Sequence, residues 1–270
     1  LKSEGGQSNA ELAEIFSSWN GGEDLNSFLM EITAKIFQKQ EGGKDLIDLI
    51  KDAAGQKGTG KWTTEAAMTY GVSVPTINAA VDARILSGAT DHRAKAKVLP
   101  VEIEQPYPKP EKLTSRVRIA LELSIISAYT QGFELMKAVS GEKKWNLNLG
   151  EIARIWRGGC IIRSAFLKKL QATYSSDEGV AKNAKEEILA RLSGENQLDW
   201  RRTIAIGTGR GIPLPAMSSA LAYYDALRRE KLPQNLIQAQ RDFFGAHTYE
   251  RVDKKGTFRS EEHTSELQSP

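Results

Sequence analysis

The chain has 270 residues, of which 40% are hydrophobic, and this is enough apolar material for one large core or two small ones. Its 37 basic and 34 acidic residues leave a net charge of only +3, so the composition gives no general attraction to nucleic acid or to a membrane surface. The single cysteine, Cys160, excludes a disulfide framework and favours a reducing, cytoplasmic setting, and no apolar run is long enough to span a bilayer.

Helical spacing of apolar residues runs through most of the chain, and no segment alternates convincingly as a strand would. Ser8 and Glu11 have the spacing of a capping box, which predicts the start of a first helix that ends at Asn20. Further helices are predicted over residues 25–38, 45–54, 64–70, 75–87, 111–140, 149–174, 180–193, 196–206, 215–231 and 233–245. The sequence therefore predicts an all-α fold of roughly ten helices, with one domain over residues 1–258.

Three of these segments have a more specific interpretation. The run over residues 111–140 is apolar around much of its circumference, which is typical of a central buried helix or of one shared across an interface. The run over 149–174 contains Gly158 and Gly159, which predict a kink or the close approach of another backbone. Residues 94–110 are rich in proline and charge, and they are interpreted as a long surface connection.

Two glycine-rich stretches invite a nucleotide interpretation. Gly55 to Lys61 matches the first seven positions of a P-loop, but the eighth is Trp62 instead of Ser or Thr, and a predicted helix precedes it where a P-loop needs a strand. Two weaker interpretations stay open: exposed amides with Lys57 and Lys61 hold a phosphate, or the loop is simply solvated. The second stretch, 207–211, resembles a dinucleotide loop but follows a predicted helix, so that interpretation fails.

Arg84 is the first candidate binding residue on a helix. It lies seven positions after Ile77, which predicts that it is on the buried side of the helix over 75–87. A buried arginine must be paired or must meet an anion, because an isolated buried charge is very costly. The alternative is that its long stem carries the guanidinium out to water.

Arg241 and His247 are the second pair of candidates. Gly245 is predicted to stop the last helix in the left-handed conformation, which frees His247 to fold back beside Arg241. A guanidinium fork and an imidazole that converge on one spot suit an anionic, hydroxylated small molecule. The alternative is a surface ion pair and a histidine that fills a helix end.

The two ends of the chain carry expectations of their own. Residues 259–269 match, residue for residue, the translation of a widely used short-read sequencing adapter, so 259–270 is predicted to be a disordered artefact without a part in fold or function. The chain begins with Leu1 and enters a helix pattern at once, so we expect a fragment of a longer protein.

Several stretches together resemble one enzyme family, 6-phosphogluconate dehydrogenase. They are GQKGTGKWT (55–63), GVSVP with AVDAR (within 71–84), WRGGCIIRS (156–164), LPQNLIQAQRDFFGAHTYER (232–251), SNAELAEIFSSWN (8–20) and LNSFLMEIT (25–33). The resemblance covers residues 1–258. It implies the all-helical C-terminal domain of that family, which forms a homodimer.

The resemblance also implies an activity and a set of substrate-binding residues. The family oxidatively decarboxylates 6-phospho-D-gluconate to D-ribulose 5-phosphate and CO2, with NADP as hydride acceptor, in the oxidative pentose phosphate pathway. Carried over motif by motif, Lys57, Arg84, Arg241 and His247 fall on substrate-binding positions. In the family the last two residues reach the site of the neighbouring subunit.

The resemblance further implies what this chain does not supply. The family's NADP fingerprint and its catalytic lysine and glutamate fall before Leu1, so no catalytic, cofactor-binding or metal-binding residue is predicted here, and the chain alone is expected to be inactive. NADP is expected to bind mainly to an N-terminal domain. The alternative function is a non-catalytic helical binding or assembly module, and a P-loop hydrolase comes third.

Overall fold

The computed structural model describes residues 1–103 and 112–260, and in these residues the secondary structure is almost entirely helical. The all-α fold class is therefore confirmed. The helices are α1 (Lys2–Gly5), α2 (Asn9–Gly21), α3 (Phe28–Gln38), α4 (Thr59–Thr69), α5 (Pro75–Gly88), α6 (Thr90–Ala96), α7 (Leu113–Lys143), α8 (Leu149–Ile155), α9 (Phe166–Thr173), α10 (Glu178–Arg191), α11 (Gly194–Gly209), α12 (Pro215–Leu227) and α13 (Gln234–Gly245).

The strands among the described residues are short and pair as two antiparallel hairpins. They are β1 (Gln40–Glu41) with β2 (Lys44–Asp45), and β3 (Tyr249–Glu250) with β4 (Thr257–Phe258). The chain divides into two compact units, Leu1–Tyr223 and Tyr224–Pro270. The predicted domain bounds, 1–258, stay a prediction, and residues 261–270 of the suspected artefact lie outside the described residues.

The predicted helix over 45–54 is wrong. Gly42 and Gly43 both have positive φ, 56° and 76°, so the chain turns tightly there and pairs β1 with β2. A short 3-10 helix, Leu46–Leu49, follows. The Asn9 side-chain amide donates to Asp45 and Asp48 at 2.7 and 2.8 Å, so these carboxylates fasten the turn to the start of α2.

Other helix boundaries also differ from the predicted ones, and in two places a glycine with positive φ lies at the boundary. α4 begins at Thr59 instead of residue 64, because Gly58, with φ 102°, is its N-cap. The predicted run over 149–174 is broken around Gly158 and Gly159, which the sequence singled out: α8 ends before them, α9 begins after them, and Gly159 has a φ of 66°. The predicted surface connection contains α6, and its residues 104–110 lie outside the described residues.

The long helix α7 forms the centre of the first unit. Its side chains Val117, Leu121 and Ile125 pack against the buried cluster of Trp19, Leu25 and Met30. Farther along, Leu135 forms a second buried cluster with Ala67 and Val74, from α4 and the residue before α5. These clusters explain why apolar residues occupy much of the circumference of α7.

A fully buried glutamine of α7 holds the N-terminus of α5. The Gln131 side chain is 0% exposed, and its carbonyl oxygen accepts the Thr76 backbone N–H at 2.9 Å. Its amide nitrogen donates to the Thr76 and Ser127 hydroxyls at 2.8 and 3.3 Å. The N-cap of α5, Val74, has no side-chain cap of its own, so Gln131 satisfies an amide that the helix leaves unpaired.

A charged group of α7 holds α10 in the same way. Glu122, 4% exposed, accepts two hydrogen bonds from the Arg191 guanidinium, one of them at 2.7 Å. These bonds raise the pKa of Arg191 above its ordinary value. Asp24, between α2 and α3, accepts from Arg191 at 3.4 Å and from Arg118 at 3.5 Å. The network therefore joins three parts of the first unit.

We predict that Gln131→Met lowers the free energy of unfolding by about 1–3 kcal/mol, because methionine keeps the volume but leaves the buried Thr76 amide without its acceptor. Urea denaturation followed by circular dichroism measures the difference. Gln38→Met, at an exposed position of α3, is the control and should change stability by less than about 0.5 kcal/mol. Equal stability of the two variants would contradict the anchoring role of Gln131.

Candidate functional site

Lys57 lies on an exposed loop just before α4, in the first unit. The chain enters the helix at Gly58, and Gly60 in its first turn lies so close to α5 that an added Cβ would be 2.8 Å from Val81 Cγ2. Lys61 is already inside the helix and lies 3.5 Å from Glu65. The glycines of this stretch therefore form a helix start packed on α5, and Lys57 is the lysine that stays on the loop.

Arg84 is exposed, so the prediction that it lies on the buried side of α5 is wrong. The next residue, Ile85, is also exposed (56%) although it is apolar. The physical reason is that the packing of α5 is concentrated at its N-terminal end, where Thr76 is buried and Ile77 packs on the core. The Arg84 guanidinium instead donates a hydrogen bond to the Gly55 carbonyl oxygen.

Further hydrogen bonds fasten this loop to the end of α5. The Ala54 N–H donates to the Ser87 hydroxyl at 2.9 Å. Arg93 of α6 donates to the Asp52 carbonyl at 2.9 Å and to its carboxylate at 2.7 Å. The loop is thus held by α5 and α6. The Arg84 guanidinium bonds to Gly55, which lies two residues before Lys57 in the sequence. Lys57 and Arg84 together form the first candidate set, which suits an anion.

The second candidate set surrounds the end of α13, in the second unit. The helix ends at Gly245, as predicted, but the left-handed residue is Ala246, with φ 49°, and not Gly245. Gly245 is needed for a different reason: an added Cβ would overlap Cε1 and Nδ1 of His247. The missing side chain gives the imidazole room to fold back over the helix end.

The fold-back brings His247 to the backbone of Arg241. Nδ1 of His247 lies 3.0 Å from the Arg241 carbonyl oxygen, and the ring lies edge-on to Phe244 at 6.1 Å between centroids. The Arg241 guanidinium donates to the Gln238 side-chain oxygen at 3.1 Å. Both Arg241 and His247 are exposed, so a hydroxylated anion has access to both.

Asp242, which the sequence analysis missed, holds this segment in place. Its side chain is buried, and one oxygen accepts the Thr248 N–H at 2.8 Å. The other oxygen accepts the Ser260 hydroxyl at 2.6 Å and the Ser260 N–H at 2.7 Å, although Ser260 lies in the stretch that is predicted to be an artefact. These donors, Ser260 first, lower the pKa of Asp242 below its ordinary value. An acid in the last turn of a helix interacts unfavourably with the helix dipole. This unfavourable position was the signal in the sequence that could have identified Asp242 as a structural residue.

The described residues show neither a strand before residues 207–211 nor a cluster of metal-ligating side chains. Residues 207–209 end α11 and residues 210–211 begin the turn toward α12, so this stretch follows no strand, whereas a dinucleotide loop joins a strand to a helix. Within residues 1–103 and 112–260, no group of three His, Cys, Asp or Glu side chains could hold a metal ion. Over the same residues, no helix is both long and apolar enough to cross a membrane.

Comparison with known proteins gives one consistent result. Residues 1–262 match the family described as 6-phosphogluconate dehydrogenase, C-terminal domain. The chain is 48% identical over 266 residues to the decarboxylating 6-phosphogluconate dehydrogenase of Synechococcus elongatus, and 48% identical over 268 residues to the NADP(+)-dependent, decarboxylating enzyme of Bacillus subtilis. Each alignment covers 97% of this chain and 56% of the relative.

A solved structure agrees with these relatives. The Plasmodium falciparum 6-phosphogluconate dehydrogenase, studied as apo form, with its cofactor NADP+ and with its substrate 6-phosphogluconate, has a TM-score of 0.88 at 40% sequence identity. The match covers 96% of this chain and 56% of that one. The chain thus spans about half the length of the relatives it matches.

We predict that Arg84→Ala speeds hydrogen–deuterium exchange of the Ala54 amide about fivefold, which corresponds to the loss of about 1 kcal/mol from one hydrogen bond that restrains the loop. Mass spectrometry of peptides over residues 50–57 measures the change. Arg154→Ala, which removes an exposed pair with Glu151 on α8, is the control and should leave this loop unaffected. Unchanged protection in Arg84→Ala would show that the Arg84–Gly55 bond does not hold the loop.

Proposed function

The chain belongs to the 6-phosphogluconate dehydrogenase family, and we propose that it supplies the substrate-phosphate contacts and the dimer interface of the decarboxylating enzyme. The reaction converts 6-phospho-D-gluconate to D-ribulose 5-phosphate and CO2, and NADP+ accepts the hydride. In this proposal NADP+ binds mainly to an N-terminal domain of the enzyme. The single cysteine supports a cytoplasmic location.

The observation that carries the proposal is the hydrogen bond from Arg84 to Gly55. It holds the loop that carries Lys57 to the arginine, and both Lys57 and Arg84 are exposed. The substrate carries a phosphate and a carboxylate joined by a chain of hydroxyls. A guanidinium and an ammonium of this kind hold and orient such anions through charge-assisted hydrogen bonds, the guanidinium as a fork and the ammonium as a point charge.

Arg241 and His247 complete the substrate contacts in this proposal by reaching the site of the neighbouring subunit. The accessibility of both side chains supports this role. A homodimer is supported by apolar side chains along α13, because Leu236 is 62%, Ile237 50% and Phe244 63% exposed. Neighbouring exposed apolar side chains commonly mark a protein interface.

We predict that Arg241→Ala raises the dissociation constant for 6-phosphogluconate about 10-fold or more, because a charge-assisted hydrogen bond contributes about 1.5–3 kcal/mol. Isothermal titration calorimetry on the 270-residue chain measures this, after sedimentation has established the oligomeric state. Arg228→Ala, which removes an exposed arginine paired with Asp225, is the matched control in the second unit. An unchanged constant in Arg241→Ala would contradict the phosphate contact, and a folded dimer that binds no substrate would favour the assembly module.

A further inference from the structure

The backbone beside His247, after the end of α13, is more strained than two exposed side-chain contacts require. His247 lies between Ala246 and Thr248, whose φ angles of 49° and 62° are both in the left-handed region. A residue other than glycine costs roughly 1–2 kcal/mol in this conformation. Such strain persists only where the surroundings enforce it, and it often accompanies a functional site.

We propose that Gly245 and Asp242 are positioning residues that hold the His247 imidazole in its Nδ1–H tautomer, so that Nε2 meets the ligand as a hydrogen-bond acceptor. The proposal goes beyond the contact roles assigned to Arg241 and His247, and its consequence for the ligand rests on the function proposed above.

The tautomer follows from the partner of Nδ1. That atom lies 3.0 Å from the Arg241 carbonyl oxygen, and a carbonyl oxygen only accepts hydrogen bonds. Nδ1 must therefore carry the proton of this bond. In the neutral ring the other nitrogen, Nε2, then has a lone pair and accepts. A mobile imidazole populates both tautomers, so a single tautomer requires that the ring is held.

Gly245 sets the position of the ring. Because an added Cβ would overlap both Cε1 and Nδ1 of His247, the imidazole occupies the space that any other residue would fill. The Gly245 backbone is helical, so alanine fits there without backbone strain. Gly245 is thus needed to leave space for the His247 ring. The left-handed backbone conformation at the helix end is supplied by Ala246.

Asp242 sets the path of the chain on both sides of the ring. Its buried carboxylate accepts the Thr248 N–H directly after His247 at 2.8 Å. The Ala246 N–H donates to the Asp242 backbone carbonyl at 2.8 Å. Asp242 therefore holds the residues before and after His247, and these bonds offset the cost of the two left-handed residues.

The two exposed groups, the Arg241 guanidinium and the His247 imidazole, therefore bind different parts of the ligand. The Arg241 guanidinium carries only donors and suits the phosphate. The neutral His247 ring offers an acceptor, and a hydroxyl of the polyol chain can donate to it. A phosphorylated ligand with a hydroxyl near its phosphate satisfies both groups, whereas inorganic phosphate satisfies the guanidinium alone.

The test uses the full 270-residue chain labelled with 15N in its three histidines, observed by long-range proton–nitrogen NMR. His247→Gln identifies the His247 signals. We expect Nδ1–H as the single tautomer in the unsubstituted protein. Gly245→Ala should give mixed tautomers at equal or higher thermal stability, because alanine favours a helix by about 1 kcal/mol over glycine. Gly141→Ala, in open space on α7, should leave His247 unchanged.

The two Asp242 variants separate positioning from stability. Asp242→Ala removes the acceptor for Thr248 and should give mixed tautomers, while Asp242→Asn keeps one carbonyl oxygen and should restore the single tautomer. Mixed tautomers in the unsubstituted protein would overturn the proposal. A single tautomer in both Gly245→Ala and Asp242→Ala would overturn it as well.

Calorimetric titration with 6-phosphogluconate and with inorganic phosphate separates this proposal from the function it rests on. Gly245→Ala should weaken 6-phosphogluconate binding about fivefold, as the loss of one hydrogen bond does, and should leave phosphate binding unchanged. If the tautomers mix but only Arg241→Ala weakens binding, the ligand role of His247 is overturned and the proposed function stands. If neither variant weakens binding, the proposed function fails, and the tautomer spectra still decide the positioning.

Discussion

The first candidate set depends on a hydrogen-bonded pair in the interior, Gln131 with Thr76. A buried amide must find a partner, and an unsatisfied one costs more than a single hydrogen bond contributes. Gln131 of α7 and the start of α5 therefore have one favourable arrangement relative to each other. α5 extends from this fixed end to Arg84, and Arg84 holds the loop that carries Lys57. The position of an exposed lysine thus depends on a buried glutamine.

The second unit follows the same principle with different chemistry. Asp242 is buried and satisfied by backbone and side-chain donors, and the residues that it holds carry an exposed imidazole. In both units a buried polar group determines where an exposed one lies. Apolar packing alone would tolerate sliding between elements, because it is not directional. Hydrogen bonds to buried groups are directional, so they define the position more narrowly.

Local signals in the sequence predicted local structure. The capping box of Ser8 and Glu11 is formed, and Pro75 begins α5 as expected. Arg84 was misplaced because helical spacing gives the direction of a side chain but not how far along the helix the packing extends. The fold-back of His247 followed from a helix stop, yet Asp242 was missed, because its partners lie six and eighteen residues away. No periodic pattern records such pairs, so only the folded chain reveals them.

The network of Asp24, Glu122 and Arg191 has a consequence for how the chain folds. Asp24 and Arg191 are 167 residues apart, and Glu122 lies between them. Until α10 is synthesised, Glu122 has only Arg118 of α7 as a partner, at 3.9 Å, and lacks both Arg191 hydrogen bonds, so burying its carboxylate in an apolar setting is costly. The helices synthesised earlier therefore keep part of their apolar surface exposed to water until α10 is available. Pairings of such long sequence separation slow folding, and this waiting stage is the one at which a chaperone would protect the nascent chain from aggregation.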